Sequence, residues 1–185
     1  KLVRFLADNI SGLFSVKSIS DFLKSQQINV SHYQVQTFTD YFVNSFLISK
    51  VLRYDLAGKK IFETHEKYYF ENIGIRNAIV GYKASDLSKI IENVVYNHLV
   101  FLGYEVKIGW LNGLEIDFVA TKRNEITYIQ VAYRITDEKT SEREFGNLLK
   151  IKDNYPKIVI TIEADFLNTY QGIQHVSLRK FLTTF

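Results

Sequence analysis

The sequence contains no cysteine, which excludes disulfide bonds, cysteine-based zinc sites and thiol catalysis. It also lacks any apolar run of the roughly 18 residues that a membrane-spanning helix needs, and no signal peptide opens it. We therefore expect a cytoplasmic protein without membrane contact. Methionine is absent too, and the chain starts at Lys1. For this reason we expect it to be a piece of a longer protein.

Proline and glycine are scarce, with one proline and nine glycines among 185 residues, so no flexible linker marks a domain boundary. The remaining composition, 46% hydrophobic and 23% charged, is typical of a globular chain that can build a core. Its length suits one large or two small domains. The net charge of +3 permits nucleic-acid binding without requiring it.

The first part of the chain shows helical periodicity three times. Ser31 is placed to cap the third of these helices. Two strands, 47–54 and 60–70, follow with a turn between them. Three helices and a two-stranded hairpin are typical of a winged helix. We therefore predict a winged-helix domain over residues 1–72.

In the second part, residues 73–185, the predicted order of helices and strands differs from that of the first part. The pattern predicts, in order, a helix at 86–102, strands at 105–110, 114–121 and 127–135, a charged helix at 137–153 and a buried strand at 157–162. The last segment, 176–185, fits either a strand or a helix. An α-β-β-β-α-β order predicts a mixed sheet flanked by helices, and the fold class is α+β or α/β.

Glu115 and Asp117 are expected on one face of their strand, with Ile116 and Phe118 on the other. Two carboxylates on a core strand are costly unless they bind something, and Mg²⁺ is one such ligand. The alternative is a solvated sheet edge where both make ordinary hydrogen bonds. Spacing alone leaves both interpretations open.

Three segments carry a family resemblance. They are Ile-Glu-Asn-Val at 91–94, Gly-Leu-Glu-Ile-Asp-Phe-Val at 113–119 and Tyr-Ile-Gln-Val-Ala at 128–132. Together they resemble the PD-(D/E)XK restriction-endonuclease-like superfamily. The resemblance implies a restriction-endonuclease-like mixed β-sheet over 73–185.

The whole chain is also similar to a domain of unknown function that follows an AAA-type P-loop domain in many prokaryotic ATPases. The segments 53–55, 58–60 and 67–69 resemble its wing, and 74–78 resemble its linker. The resemblance implies that the ATPase domain lies in the rest of the full-length chain. No P-loop is present here, so ATP would bind only there, and no organic cofactor is expected.

The resemblance further implies that Glu92 and Asp117 hold a metal, Mg²⁺ or Mn²⁺, with Glu115 beside them. Where the superfamily has Glu-x-Lys, this chain has Gln130 and Ala132. A glutamine oxygen is a weaker ligand for a hard cation, and alanine cannot activate water. A cation from elsewhere could substitute, and the candidates are Lys122, Arg134 and Lys150, with Arg134 preferred because it shares the face of Gln130. The catalytic candidates are therefore Glu92, Asp117, Gln130 and Arg134.

From this pattern we expect a nuclease-like fold whose active site is inactive or very slow. The expected function is a recognition module of a larger AAA-type ATPase that binds DNA or a partner protein. The alternative is a Mg²⁺-dependent DNA endonuclease.

Residues for nucleic-acid contact can also be nominated from the first part of the chain. Polar side chains of the third helix could read bases, and cations of the hairpin could hold phosphates. The candidates are His32, Gln34, Gln36, Lys50, Arg53, Lys59 and Lys60. The segment 31–47 contains no lysine or arginine, however, so protein docking is an equal alternative for this helix.

Overall fold

The computed structural model describes residues 1–135, 138–163 and 169–184. Its helices are α1 (Leu2–Asp8), α2 (Val16–Ser25), α3 (His32–Asn44), α4 (Ile73–Val80), α5 (Leu87–Phe101), α6 (Glu138–Leu149) and α7 (Leu178–Thr184). Its strands are β1 (Leu13–Phe14), β2 (Ile48–Asp55), β3 (Lys60–Phe70), β4 (Glu105–Leu111), β5 (Leu114–Lys122), β6 (Glu125–Val131), β7 (Lys157–Thr161), β8 (Thr169–Tyr170) and β9 (Ile173–Ser177). Within these residues, no helix combines the length and apolarity needed to cross a bilayer.

Most elements form where their periodicity predicts them, because apolar spacing and caps act locally. Ser31 caps α3, as expected, and its hydroxyl accepts a hydrogen bond from the Gln34 N–H while Gln34 Oε1 accepts one from the Ser31 N–H. The predicted linker 74–78 is instead part of helix α4, capped by Asn72. The undecided segment 176–185 contains both alternatives, the end of β9 and helix α7.

The described strands form one sheet in the order β1-β3-β2-β4-β5-β6-β7-β9-β8. The pairs β4–β5 and β5–β6 are antiparallel, and β6–β7 is parallel with α6 as its crossover. The first and second parts of the chain meet in this sheet because β2 pairs with β4 in parallel. The mixed sheet flanked by helices is thus confirmed, and the two predicted domains share it.

Three buried clusters hold the helices on the sheet. One joins α5 and α7 to a face of the sheet, and a second joins α6 to the opposite face. The third packs the N-terminal helices against β2 and β3. The α5 cluster contains Val51, Tyr69, Ile108 and Phe118. Because side chains alternate between the two faces of a regular strand, those at every second position from these residues also lie on the face of the sheet that packs against α5.

Candidate functional site

Lys67 lies at the centre of a buried group of charged side chains. Its side chain is 2% exposed, on β3, yet its ammonium contacts three carboxylates. Lys67 Nζ lies 2.9 Å from Glu92 Oε1, 2.6 Å from Glu115 Oε1 and 3.8 Å from Asp117 Oδ1. The acids that the resemblance selected are thus gathered around one atom. We call these four residues the Lys67 cluster.

The elements that carry the cluster come from both parts of the chain. Lys67 lies on the predicted wing, Glu92 on the second turn of α5, and Glu115 and Asp117 on β5. Two residues after Lys67, the Tyr69 hydroxyl donates to Glu92 Oε1 at 2.7 Å. Its ring stacks on Tyr96 at 4.4 Å between centroids. Tyr69 therefore fixes the carboxylate of Glu92 from the same strand that delivers the lysine.

Asp117 reaches the cluster through a β-bulge. Gly109 pairs with Ile116 and Lys107 with Val119, so Asp117 and Phe118 together oppose Ile108 alone. A bulge re-aims the side chains around it. As a result Ile116 packs in the α6 cluster while Phe118 packs in the α5 cluster. The expectation that Ile116 and Phe118 share a face is wrong for this reason.

Gly109 is required at the bulge. A Cβ added there would lie 2.8 Å from the Cβ of Ile116 and 3.0 Å from Val119 Cγ2. Contacts this short would push β4 and β5 apart. The close approach of the two strands at Gly109 thus maintains the backbone that aims Asp117.

Gln130 and the backbone of β6 hold Asp117 from the other side. The Val131 N–H donates to Asp117 Oδ2 at 2.8 Å, and Gln130 Oε1 accepts from the Asp117 N–H at 3.4 Å. The regular pairing of β5 with β6 ends at Phe118 and Ile129. The side chain of Gln130 therefore accepts the hydrogen bond from the Asp117 N–H that a regularly paired strand would otherwise accept.

The Lys67 cluster carries more negative than positive charge in a buried place, because three carboxylates face one ammonium. Burial, and then repulsion by Glu92, raises the pKa of Asp117 well above its ordinary 3.8, although Lys67 and the Val131 N–H oppose this. Burial also raises the pKa of Glu92, against the attraction of Lys67. For Lys67 itself burial opposes the charge, but Glu92, Asp117 and Glu115 together outweigh it and raise the pKa of Lys67 above 10.5. Such perturbed groups are concentrated at functional sites.

The donor chemistry of the cluster suits a hard divalent cation, because all three acids offer carboxylate oxygens. The geometry does not fit one. Among the described residues, no three acidic, histidine or cysteine side chains are gathered as a metal-binding group. In the Lys67 cluster the carboxylates converge on an ammonium instead.

The three cations nominated as substitutes for the missing lysine lie elsewhere. Arg134 is half exposed and pairs with Glu163 at 3.4 Å. Lys122 Nζ donates to the Leu102 carbonyl at 2.7 Å, and Lys150 is exposed just after α6. Lys67 was missed because a single lysine on an alternating strand is typical of a solvated wing. The available signal in the sequence was the run of three aromatic residues, 68–70, directly after Lys67.

The nucleic-acid candidates on α3 are partly engaged within the helix. Gln34 completes the cap, and Gln36 Nε2 donates to Asp40 Oδ1 at 2.9 Å. Lys50 lies 3.7 Å from the same aspartate. His32 is exposed at the start of the helix. Among the described residues, no hydrogen bond or ion pair of this kind engages the His32 side chain.

The candidates on the β2–β3 hairpin are arranged differently. Lys59 lies in the turn with a φ of 50°, and Lys60 begins β3, both exposed. Lys60 Nζ lies 5.7 Å from the ring centroid of Phe62, and the Arg53 guanidinium lies 4.5 Å from it. Cations and an aromatic ring therefore lie together at this end of the hairpin.

We expect Asp117→Asn to raise the free energy of unfolding at pH 8 by about 1–2 kcal/mol, because it removes a buried charge and leaves an oxygen for the Val131 N–H. The folded-state pKa of Asp117 is raised, so folding takes up protons and the wild type loses stability as pH rises above 3.8. The variant should show a shallower loss between pH 5 and 8. Urea denaturation followed by circular dichroism measures both quantities.

The matched control for this prediction is Asp21→Asn on α2, which removes one exposed charge. It should change stability by less than about 0.5 kcal/mol. A loss of stability in Asp117→Asn at pH 8 would contradict the picture of a cluster with excess negative charge.

Comparisons with known proteins give two matches. Residues 1–86 match the family model of a domain of unknown function, DUF8612. A Haemophilus influenzae (strain ATCC 51907 / DSM 11121 / KW20 / Rd) protein described as uncharacterized is 40% identical over 160 residues, which are 86% of this chain and 39% of that protein. No solved structure matches the chain. The chain therefore spans about two fifths of the length of this bacterial protein. Its similarity to that protein also extends beyond residues 1–86.

Proposed function

We propose that the chain is a nucleic-acid recognition module of a larger protein, with a nuclease-like site in which Lys67 neutralises the acids that a metal would otherwise occupy. The single observation that carries this proposal is the contact of the buried Lys67 ammonium with Glu92, Glu115 and Asp117. An ammonium at this place satisfies the carboxylates by itself. A divalent cation would have to displace it.

The order of elements supports a nuclease-like fold for the second part. Helix α5, the meander β4-β5-β6, helix α6 and strand β7 follow one another as in the resemblance to the PD-(D/E)XK superfamily. The first part, α1-β1-α2-α3-β2-β3, has the order of a winged helix, with β1 paired to β3. Both parts then contribute to recognition through the shared sheet.

The residues where the superfamily has Glu-x-Lys support the loss of catalysis. Ala132 is buried, and its N–H donates to the Ile160 carbonyl, so it only extends the sheet. Gln130 accepts from the Asp117 N–H and serves the backbone. Neither residue can bind a metal strongly or activate water.

The length of the relative supports a larger context. The chain spans 39% of that protein, so most of the relative lies outside the matched region. Together with the resemblance to domains that follow an AAA-type P-loop domain, this supports an ATPase elsewhere in the full-length chain as an intramolecular partner. Recognition by this module would then be coupled to ATP hydrolysis there.

A second candidate function is a Mg²⁺-dependent DNA endonuclease. It is favoured by a specific observation, namely a lysine placed beside the acids although Ala132 occupies the usual position. The raised pKa values of Asp117 and Glu92 also indicate that the acids would gain from a second positive charge. An ion could supply Lewis-acid chemistry at a phosphate here only if the Lys67 ammonium moved away from Glu92, Glu115 and Asp117.

Calorimetric titration with Mn²⁺, followed by incubation with labelled single- and double-stranded DNA at 50 mM salt, separates the two functions. The module predicts no micromolar metal binding, no cleavage, and DNA retardation that weakens steeply as salt rises. Micromolar binding that Asp117→Asn abolishes and Glu105→Gln preserves, with metal-dependent cleavage, would establish the endonuclease. Absence of retardation with either DNA would reject nucleic-acid recognition.

A further inference from the structure

Arg53 is held against two aromatic rings on the face of the sheet that carries the Lys67 cluster. Its guanidinium carbon lies 4.5 Å from the ring centroid of Phe62 and 4.6 Å from that of Trp110. Arg53 is on β2, with Phe62 paired to it on β3 and Trp110 on β4 at the other side. We call Phe62, Arg53, Trp110 and the adjacent Lys60 the Arg53 platform.

The Arg53 platform continues into the Lys67 cluster. Trp110 pairs directly with Glu115 across β4 and β5, and directly opposed residues of an antiparallel pair share a face. Glu115 in turn contacts Lys67. Arg53 and Glu115 lie on strands two positions apart, about 10 Å across the sheet. A single extended ligand could therefore contact both groups.

The chemistry of Arg53 is that of a cation held ready for an anion. Its Nε is buried and has no hydrogen-bond partner among the described residues. No described carboxylate forms an ion pair with it either. Rings against a guanidinium restrict its rotation, and the planar set of N–H donors of a guanidinium matches the oxygens of a phosphate group. Lys59 and Lys60 add exposed positive charge at the adjoining turn.

We propose that the Arg53 platform binds single-stranded nucleic acid, with Arg53 on a backbone phosphate and Trp110 beside a base. This inference rests on the proposed recognition function and names its substrate class. Interleaved cations and aromatic rings are the features with which proteins bind single strands, because an unpaired base offers its π-face to a ring.

The preference for a single strand over a duplex follows from α3. Reading a duplex in the major groove requires free polar side chains on the helix that enters it. Here Gln34 and Gln36 are hydrogen-bonded within α3. Its exposed surface instead carries Tyr33, Phe38 and Tyr41. The Arg53 platform is therefore better suited than α3 to bind nucleic acid.

Trp110 makes the proposal directly measurable, because it is the one tryptophan of the chain. Titration of the protein with a (dT)₁₂ oligonucleotide at 50 mM salt should quench its fluorescence to saturation. Arg53→Met should weaken binding about 10-fold or more, and Arg53→Lys should recover part of that loss. The slope of log K against log salt should fall by about 0.7 in Arg53→Met, since one phosphate contact disappears.

Arg179→Met on α7 is the matched control, because it removes the same charge from an exposed position on another edge of the fold. It should leave affinity within about twofold. Oligonucleotide binding that is equal in Arg53→Met and wild type, or a preference for a 12-base-pair duplex of the same length, would overturn the platform while leaving nucleic-acid recognition intact. If neither nucleic acid binds the wild-type protein, the proposed function and this inference both fail. Circular dichroism of each variant verifies that it is folded.

Discussion

Lys67→Met is expected to lower the free energy of unfolding by about 3–5 kcal/mol at pH 7. Removing one partner of a buried ion pair leaves the other charges uncompensated, and the cost is of this size in proteins. Here one ammonium, 2% exposed, serves three acids. Methionine keeps the length of the aliphatic stem, so the packing beside Val51 and Tyr69 is largely preserved. Urea denaturation followed by circular dichroism gives the difference.

The dependence of this loss on pH distinguishes electrostatics from packing. The pKa values of Asp117 and Glu92 are already raised, so these acids can take up protons when the lysine is gone. The deficit of Lys67→Met should therefore shrink as pH is lowered from 8 to 5. In the wild type the raised pKa of Lys67 keeps its own contribution complete below pH 10.5. A deficit that stays constant over this range would indicate lost packing alone.

Two further variants complete the experiment. Lys83→Met removes an exposed lysine whose partner Asp8 lies 3.1 Å away, and it should change stability by less than about 1 kcal/mol. Adding Asp117→Asn to Lys67→Met should restore part of the lost stability, because one unpaired carboxylate is removed. A loss below about 1 kcal/mol in Lys67→Met would contradict the central position of this lysine.

Arg76→Met should also cost about 3–5 kcal/mol, because Arg76 is fully buried and ties three segments together. Its guanidinium pairs with Asp86 and donates to the carbonyls of Ala7, at 2.8 Å, and Gly81, at 3.4 Å. These partners lie at the end of α1, after α4 and before α5. Arg76 therefore fixes the start of the helix that carries Glu92.

The measurement for Arg76 is a double-mutant cycle with Asp86→Asn. Because the hydrogen bond from Arg76 holds the pKa of Asp86 below 3.8, the contribution of this pair is present above pH 3.8 and is lost as pH falls further. At pH 7 the two variants should be strongly non-additive, since the double variant removes both charges. Additive losses would show that Arg76 acts through its carbonyl contacts rather than through Asp86.

The order of helices and strands could be derived from the sequence because it depends on local patterns. The α-β-β-β-α-β order, the strand pairs at 105–122 and the cap at Ser31 follow from apolar spacing and turn residues. Strand alternation placed Glu115 and Asp117 on one face, whereas Glu92 was added to them only by the resemblance to the PD-(D/E)XK superfamily.

Other features depend on contacts between distant residues. The pairing of β2 with β4 joins two stretches more than 50 residues apart, and no local pattern specifies it. That pairing joins the β2–β3 hairpin to the sheet that contains β5, with β4 between them, and so brings Lys67 to the acids. The bulge opposite Ile108 likewise arises from the register between two strands, and it moved Phe118 to the face of α5.

The sequence by itself determined which residues are acidic, where most of the longer helices and strands lie, and that the chain has no thiol and no P-loop motif. The tertiary structure decided what cation meets those acids and which surface faces a ligand. The physical reason is that a lysine or an arginine on an alternating strand has the same local pattern whether it is solvated or buried. Only the elements that tertiary packing brings around it settle its partners, as α5 and β5 do for Lys67 and as Phe62 and Trp110 do for Arg53.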